Sequence, residues 1–491
     1  MENIKKTLND IPILFQNGKF SIVNSNFDLI KKHHKNDLNL LSILGVSLIK
    51  ENLYENAIEI YLILKSLKPN DKNIISNIGN LYRLIGKYDL SIKYFKESLE
   101  LDTKNYNVLY NLALSYSSID NFQNALDYYM MALRHISNDQ EELVNEISGN
   151  YLSLLIKQGA NKQAVEVGND LLKRFPNSYI IKWKLANLYV WSNEYSKATK
   201  LYKRALEIQP GNAAIKYDIA MLNNKIGKNN EAINILRDLN FGDSRSHYIL
   251  GLFQTGKKDE FLYELNKACA SFKGDRMLAN LSKYVSFLYN KDDLYPFCSD
   301  PFNFIYTSKI QKKDLIKEVL KELDSIDIEP QNQDLITNGV QSSGDLFQLN
   351  LTNLDELKKI ILKEIDTYRL SFSGKDEYFI KHWPKKTFLK SWSVKLHEKG
   401  ELDYHIHPLG WVSGTVYLEI PPTIENKEGS IQFGFNNANY AFIENLPTRT
   451  FTPEECDIII FPSSLSHRVN SFSQKERRRV SLAFDLMPIV D

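Results

Sequence analysis

Three histidines and one arginine carry most of the chemistry this sequence can offer. In Asp403-Tyr-His405-Ile-His407-Pro408, an extended chain turns Asp403, His405 and His407 to one face, because side chains alternate along a strand. An imidazole pair two residues apart is a common way to present two nitrogens to one metal ion. A third histidine, His467, follows the apolar run 458–461 and the stretch Pro462-Ser-Ser-Leu-Ser466, which reads as a solvated turn. Beyond it, Arg477-Arg-Arg479-Val-Ser481-Leu-Ala-Phe484 reads as a strand that points Arg479 and Ser481 the same way. On the inner face of a barrel an arginine needs an anion, and its planar fork fits a carboxylate. Each piece has a plainer reading: a structural histidine pair, or a solvated run of basic residues. Taken in this order, the pieces favour a metal site. His382 and His397 stand outside the pattern and read as surface or core histidines.

These residues need a scaffold, and the chain after Phe388 supplies one. Runs rich in Val, Ile, Tyr, Phe and Trp at 391–396, 412–420, 430–435, 457–461 and 480–486 alternate with Gly, Pro and Asn turns. Short strands at that spacing predict an antiparallel sandwich or barrel. Upstream, 302–306 reads as a strand, 312–326 and 354–372 as amphipathic helices, and Gly339-Val-Gln-Ser-Ser343 as a plain turn. Trp411 and Tyr404 are either pocket-lining or core aromatics. Before this region, Leu294-Tyr-Pro296-Phe-Cys-Ser-Asp-Pro301 interrupts the helical pattern with two prolines. The expected organisation is a helical domain over 1–290, a linker over 291–301 and a strand-rich domain over 302–491.

The helical half repeats itself. Gly45, Gly79 and Ala113 recur at a step of 34, each followed twelve residues later by Ala57, Ser91 or Ala125. Ala186 and Ala220 keep the step, with Ala198 and Ala232 after them. Small residues at these points let two helices approach, Tyr82, Tyr116 and Tyr189 fill the space beside them, and Pro69, Pro176 and Pro210 mark helix ends. The step from Ala125 to Ala164 is 39, which places an insertion near 137–142. This pattern, over roughly 37–270, resembles the tetratricopeptide repeat. The resemblance implies an all-α solenoid whose inner face takes a protein or peptide partner. Asn77, Asn80, Asn111 and Asn187 fall on inner helices, where they either hold a peptide backbone or are ordinary exposed polar positions.

The strand-rich part also resembles a family. Trp392-Ser-Val, Gly400, His405-Ile-His407-Pro408, Trp411-Val-Ser-Gly414, Tyr417-Leu, Phe461-Pro-Ser463, His467 and Arg479-Val-Ser481 are similar to the iron(II)/2-oxoglutarate-dependent oxygenases. More narrowly, they resemble a branch with an HxHPxxxxSG motif often found behind tetratricopeptide repeats. The resemblance implies a double-stranded β-helix (jelly roll) with packing helices, so the whole chain is α+β and multidomain. It also implies that His405 and His467 hold Fe(II), with His407 at the motif's third position, while Arg479 and Ser481 hold the distal carboxylate of 2-oxoglutarate, the co-substrate used with O2 in hydroxylation. One departure stands out: the family's usual third residue is Asp or Glu, and here it is His407. Three arrangements stay open. His407 ligates the metal, or it stands behind a water at that position, or Asp403 supplies the carboxylate; direct ligation is the preferred reading. A non-catalytic scaffold with a degenerate barrel, or a cupin-like metal-binding barrel, are the competing expectations.

Composition narrows the field. The 491 residues carry 61 Lys+Arg against 60 Asp+Glu, a net charge of +1, which disfavours a nucleic-acid coat. Apolar runs fall far short of the ~20 residues a membrane helix needs. Three isolated cysteines suggest neither a disulfide framework nor a zinc ribbon. The expectation is a soluble, cytoplasmic protein with no nucleic-acid or membrane partner.

Overall fold

The computed structural model describes residue 8 and residues 10–271, 274–295, 297–326, 330–331, 334–421 and 427–489. Residues 1–7 and Pro296, one of the two prolines taken to mark the linker, lie outside the described residues. The chain forms two compact units, Met1–Leu154 with Lys173–Ile180, and Leu155–Leu172 with Ile181–Asp491.

The first unit is built from helix pairs: Leu38–Lys50 with Tyr54–Leu67, Lys72–Leu84 with Tyr88–Leu101, and Tyr106–Ser118 with Phe122–His135. Leading helices start where an Asp or Asn accepts from orphaned backbone N–H groups, as Asp37, Asp71 and Asn105 do. The recurring glycines are contact points. A Cβ on Gly45 would sit 2.9 Å from the Tyr61 ring, and one on Gly79 would sit 2.8 Å from the Phe95 ring. Beside them, Tyr82 stacks on Tyr94 and Tyr116 on Tyr128, each pair 5.5 Å apart. Asn111 bonds its own helix backbone and Asn80 accepts from Arg83, so both amides have partners inside the array.

The second unit continues with helices, among them Tyr195–Ile208, Ala213–Lys225, Ser244–Gln254, Lys258–Ser271 and Arg276–Tyr289. Its strands follow: β1 Tyr306–Lys309, β2 Pro330–Gln331, β3 Ile336–Ser342, β4 Thr387–His405, β5 Val412–Glu419, β6 Ile431–Gly434, β7 Arg449–Phe451, β8 Asp457–Pro462, β9 Ser466–Val469 and β10 Arg479–Pro488. They pair antiparallel in the order β1-β8-β5-β10-β4-β9-β6-β7, with β3 also on β4 and β2 on β3. The long β4 curls the sheet on itself, because its first half pairs β10 and its last residues pair β9. This is the jelly-roll architecture, an antiparallel sheet folded into two facing layers. Helices Lys313–Ser325 and Thr352–Ser371 cover its outside: Val319, Ile361 and Tyr368 share one core with Val416, Ile460, Leu482 and Phe484. Leu252 and Leu281, from the helices Ser244–Gln254 and Arg276–Tyr289, join the same core.

Three local expectations differ from the structure. Residues Pro301–Phe304 form a 3-10 turn with proline leading it, and β1 begins only at Tyr306. The 339–343 stretch lies largely in β3. There Gly339 permits close strand pairing, since a Cβ would stand 2.4 Å from the Leu396 side chain. His467 belongs to β9 and is only 6% exposed, because pairing with β4 and β6 encloses it.

Candidate metal centre

His405, His407 and His467 each offer a ring nitrogen that could hold a metal ion, and these three atoms all lie within 4.8 Å of one another. Strand pairing sets this up: His405, the last residue of β4, is the register partner of His467 in β9. Ring centroids are 4.3 Å apart for that pair, 5.2 Å for His405–His407 and 5.1 Å for His407–His467. His407 lies past the strand end, where its backbone N–H donates to Ser463 O at 3.1 Å.

All three tautomers are fixed by acceptors. Nδ1 of His405 faces the carbonyl of Asp403 at 2.9 Å, and Nδ1 of His467 faces that of Leu465 at 3.3 Å. Nδ1 of His407 meets Asp485 Oδ1 at 2.6 Å. Carbonyl and carboxylate oxygens only accept, so each Nδ1 carries a proton and Nε2 is the nitrogen left to face a metal ion. At His405 and His467, burial and the neighbouring rings oppose a second proton. They push His405 down to about 3, burial first and then His407, and they hold His467 well below the usual imidazole range. Neutral imidazoles are what a metal ion binds.

The rings line a cavity of about 330 Å³. Strand alternation supplies much of its wall. From β10, Arg479, Ser481, Ala483, Asp485 and Met487 face inward, while Val480, Leu482, Phe484 and Leu486 enter the apolar core. Across the sheet, Lys390, Trp392 and Val394 of β4 are register partners of Asp485, Ala483 and Ser481 and line the same space. Arg479 is 2% exposed, donates to Gly429 O at 3.0 Å and lies over the Tyr417 ring at 5.0 Å. Its contact with Ser481 Oγ is long, 3.4 Å. Among the described residues it forms no ion pair with a carboxylate. A buried guanidinium without an anion is costly, so this end of the cavity is ready for one. Thr415 Oγ1, also in the cavity wall, is buried without a hydrogen-bond partner, as is Ser466 Oγ beside His467. This donor set suits a divalent metal at the imidazoles and a small dicarboxylate reaching Arg479.

Other sequence candidates lie elsewhere. Asp403 is exposed, and its Oδ1 accepts from the Tyr404 N–H at 2.7 Å. Trp411 is core, donating to Phe379 O at 2.9 Å against Phe297; Tyr404 is core, with its hydroxyl on Gln432. Aromatics at the site include Trp392, 5.3 Å from His407, and Phe461, 4.7 Å from His467. His382 stacks on Tyr378, and His397 is exposed. Two residues escaped the sequence reading. Asp485 could have been found by extending the Arg479/Ser481 alternation four residues further. Arg276, on the helix Arg276–Tyr289, donates to the carbonyls of Pro408 (2.9 Å) and Leu409 (3.2 Å), in the turn that follows His407, and no repeat pattern marks it.

Comparison with known proteins finds matches in both halves of the chain. Residues 390–485 match the family described as "Putative 2OG-Fe(II) oxygenase", and residues 71–138 and 192–248 match tetratricopeptide repeat families. Among curated proteins, none matches the chain. Similar solved structures include MamA (20% identity, 35% of this chain and 92% of that one, TM-score 0.30). YrrB, titled a TPR protein with an unusual peptide-binding site, is 18% identical over 42% of this chain and 99% of its own, TM-score 0.31. The C-terminal part of a TPR repeat-containing protein from Cytophaga hutchinsonii is 16% identical over 49% of this chain and 98% of its own, TM-score 0.40. The chain thus joins an array of tetratricopeptide repeats to a C-terminal segment matching the family described as "Putative 2OG-Fe(II) oxygenase".

Proposed function

We propose that this protein is an Fe(II)- and 2-oxoglutarate-dependent dioxygenase that hydroxylates a substrate, with the repeats recruiting a protein or peptide to be modified. One observation carries the reading: three clustered imidazoles line a single cavity with a buried arginine that, among the described residues, has no carboxylate partner. His405, His407 and His467 hold the iron, and Arg479 with Ser481 binds the distal carboxylate of 2-oxoglutarate. When bound, this pair supplies oxidative C–H chemistry, driven by decarboxylation of the co-substrate. The protein orients these groups, and its apolar walls limit water.

Substituting a neutral imidazole for the family's carboxylate favours a second reading, a scaffold that binds metal without turnover. Fe(II) and 2-oxoglutarate added without oxygen give a weak visible charge-transfer band under both readings. Loss of the band in air with succinate formed supports the dioxygenase. A stable band without succinate supports the scaffold. Metal uptake with no band points to a cupin-like barrel. His467→Ala removes stoichiometric iron; a variant that retains it overturns the assignment of that ligand.

A further inference from the structure

The residue that replaces the family's carboxylate, His407, is joined to a carboxylate the sequence pattern does not mark. Asp485 Oδ1 receives two hydrogen bonds of 2.6 Å, from His407 Nδ1 and from Ser413 Oγ, and Ser413 contacts Ser463 Oγ at 2.7 Å. Asp485 and Ser413 are register partners on β10 and β5, while Ser463 also takes the His407 backbone N–H. The carboxylate is therefore held by two donors, and Ser463 braces both of them. Gly410 makes room for this arrangement, since a Cβ there would stand 2.7 Å from Ser463 Oγ and 3.0 Å from Asp485 Cγ. Among the described residues Asp485 has no other ion-pair partner, and it lies outside the cluster of candidate ligands. Its reach to the centre runs through one ring.

We propose that Asp485 is the carboxylate of this centre, displaced outward by one imidazole: it orients His407 and gives that ligand its negative character. The inference rests on the metal-centre reading above. A carboxylate accepting from the far nitrogen of a ligating histidine fixes the ring and raises its basicity, and losing such a partner weakens metal binding about 10–100-fold. In this chain it does more, because no other carboxylate faces the three imidazoles among the described residues. Asp485 is a positioning residue whose charge reaches the metal through His407.

A double-mutant cycle tests this with metal affinity as the readout. The full-length protein is titrated with Co(II) without oxygen, following its visible absorption, in the parent, Asp485→Asn, His407→Asp and the double variant. Asp485→Asn is expected to bind about 10–100-fold more weakly than the parent. In the His407→Asp background, where a carboxylate already faces the metal, the same change is expected to cost nothing. Equal affinity of parent and Asp485→Asn overturns the proposal, and so does an equal loss in both backgrounds, which marks a purely structural role. If His407→Asp takes up no metal, the iron midpoint potential decides: a higher value in Asp485→Asn supports the proposal and an unchanged one overturns it. A parent protein that binds neither Co(II) nor Fe(II) defeats the metal-centre reading itself, and the inference with it.

Discussion

Arg276 and Pro408 lie 132 residues apart in the chain, and the guanidinium Nε of the first donates to the carbonyl of the second at 2.9 Å. The same side chain reaches Leu409 O at 3.2 Å and packs over Trp411 at 5.7 Å. One turn further along that helix, Asn280 donates to Ser464 O at 3.2 Å, three residues before His467. A single helix therefore clamps the turn that follows His407 and the turn that precedes His467.

Arg276→Ala is accordingly expected to loosen the turn after His407. Hydrogen bonds from charged groups contribute about 1.5–3 kcal/mol each, and the two to this turn are lost together with a third to Gly274 O. Metal affinity should fall and the unit should melt several degrees lower, read by Co(II) titration and thermal unfolding. Unchanged affinity in a folded variant would show that the turn holds its shape without the clamp.

Arg479→Ala is expected to weaken 2-oxoglutarate binding by about 2–5 kcal/mol, the range for truncating one partner of a buried charge pair, with iron still bound. Lysine at 479 should rescue little, since a point charge lacks the planar fork. Isothermal titration of the Fe(II)-loaded protein measures both. Equal affinity for the co-substrate in parent and variant would refute the assignment.

Gly414 has no space for a side chain. A Cβ there would fall 2.3 Å from the Phe484 ring and 2.5 Å from Ile459 O, so both neighbouring strands would have to shift. Gly414→Ala should destabilise the unit by about 1–3 kcal/mol, as overpacked cores do. All five tryptophans, at 183, 191, 383, 392 and 411, belong to this unit, so their fluorescence isolates its unfolding.

The metal-free protein should lose stability as pH falls from about 6.5, the imidazole value in an unfolded chain. His405 titrates near 3 when folded, and burial with its neighbours also holds His467 low. Between those values the unfolded chain binds more protons, so stability declines with acidification, by at most about 1.4 kcal/mol per pH unit for each histidine. Below the folded values the loss stops. Urea unfolding at pH 7 and pH 5 checks this, and His467→Ala should flatten the slope.

The sequence by itself determined the repeat array, the strand-rich half and the three histidines. A step of 34 residues forces small side chains to recur where helices touch, and Gly45 against Tyr61 and Gly79 against Phe95 are such contacts. Strand alternation likewise placed Arg479 and Ser481 on one face, because a period of two is a local property of the backbone. Local rules failed where an element's state depends on distant partners. Residues 339–343 read as a turn until β4 pairs with them, and His467 read as solvated until β4 and β6 enclose it. The same alternation runs on to Asp485, but its bond to His407 and the contacts of Arg276 were decided by tertiary structure alone. Each acts across a long chain separation, through a hydrogen bond that exists only once the sheet has curled and the helix Arg276–Tyr289 has docked, and no spacing in a linear pattern encodes such a meeting.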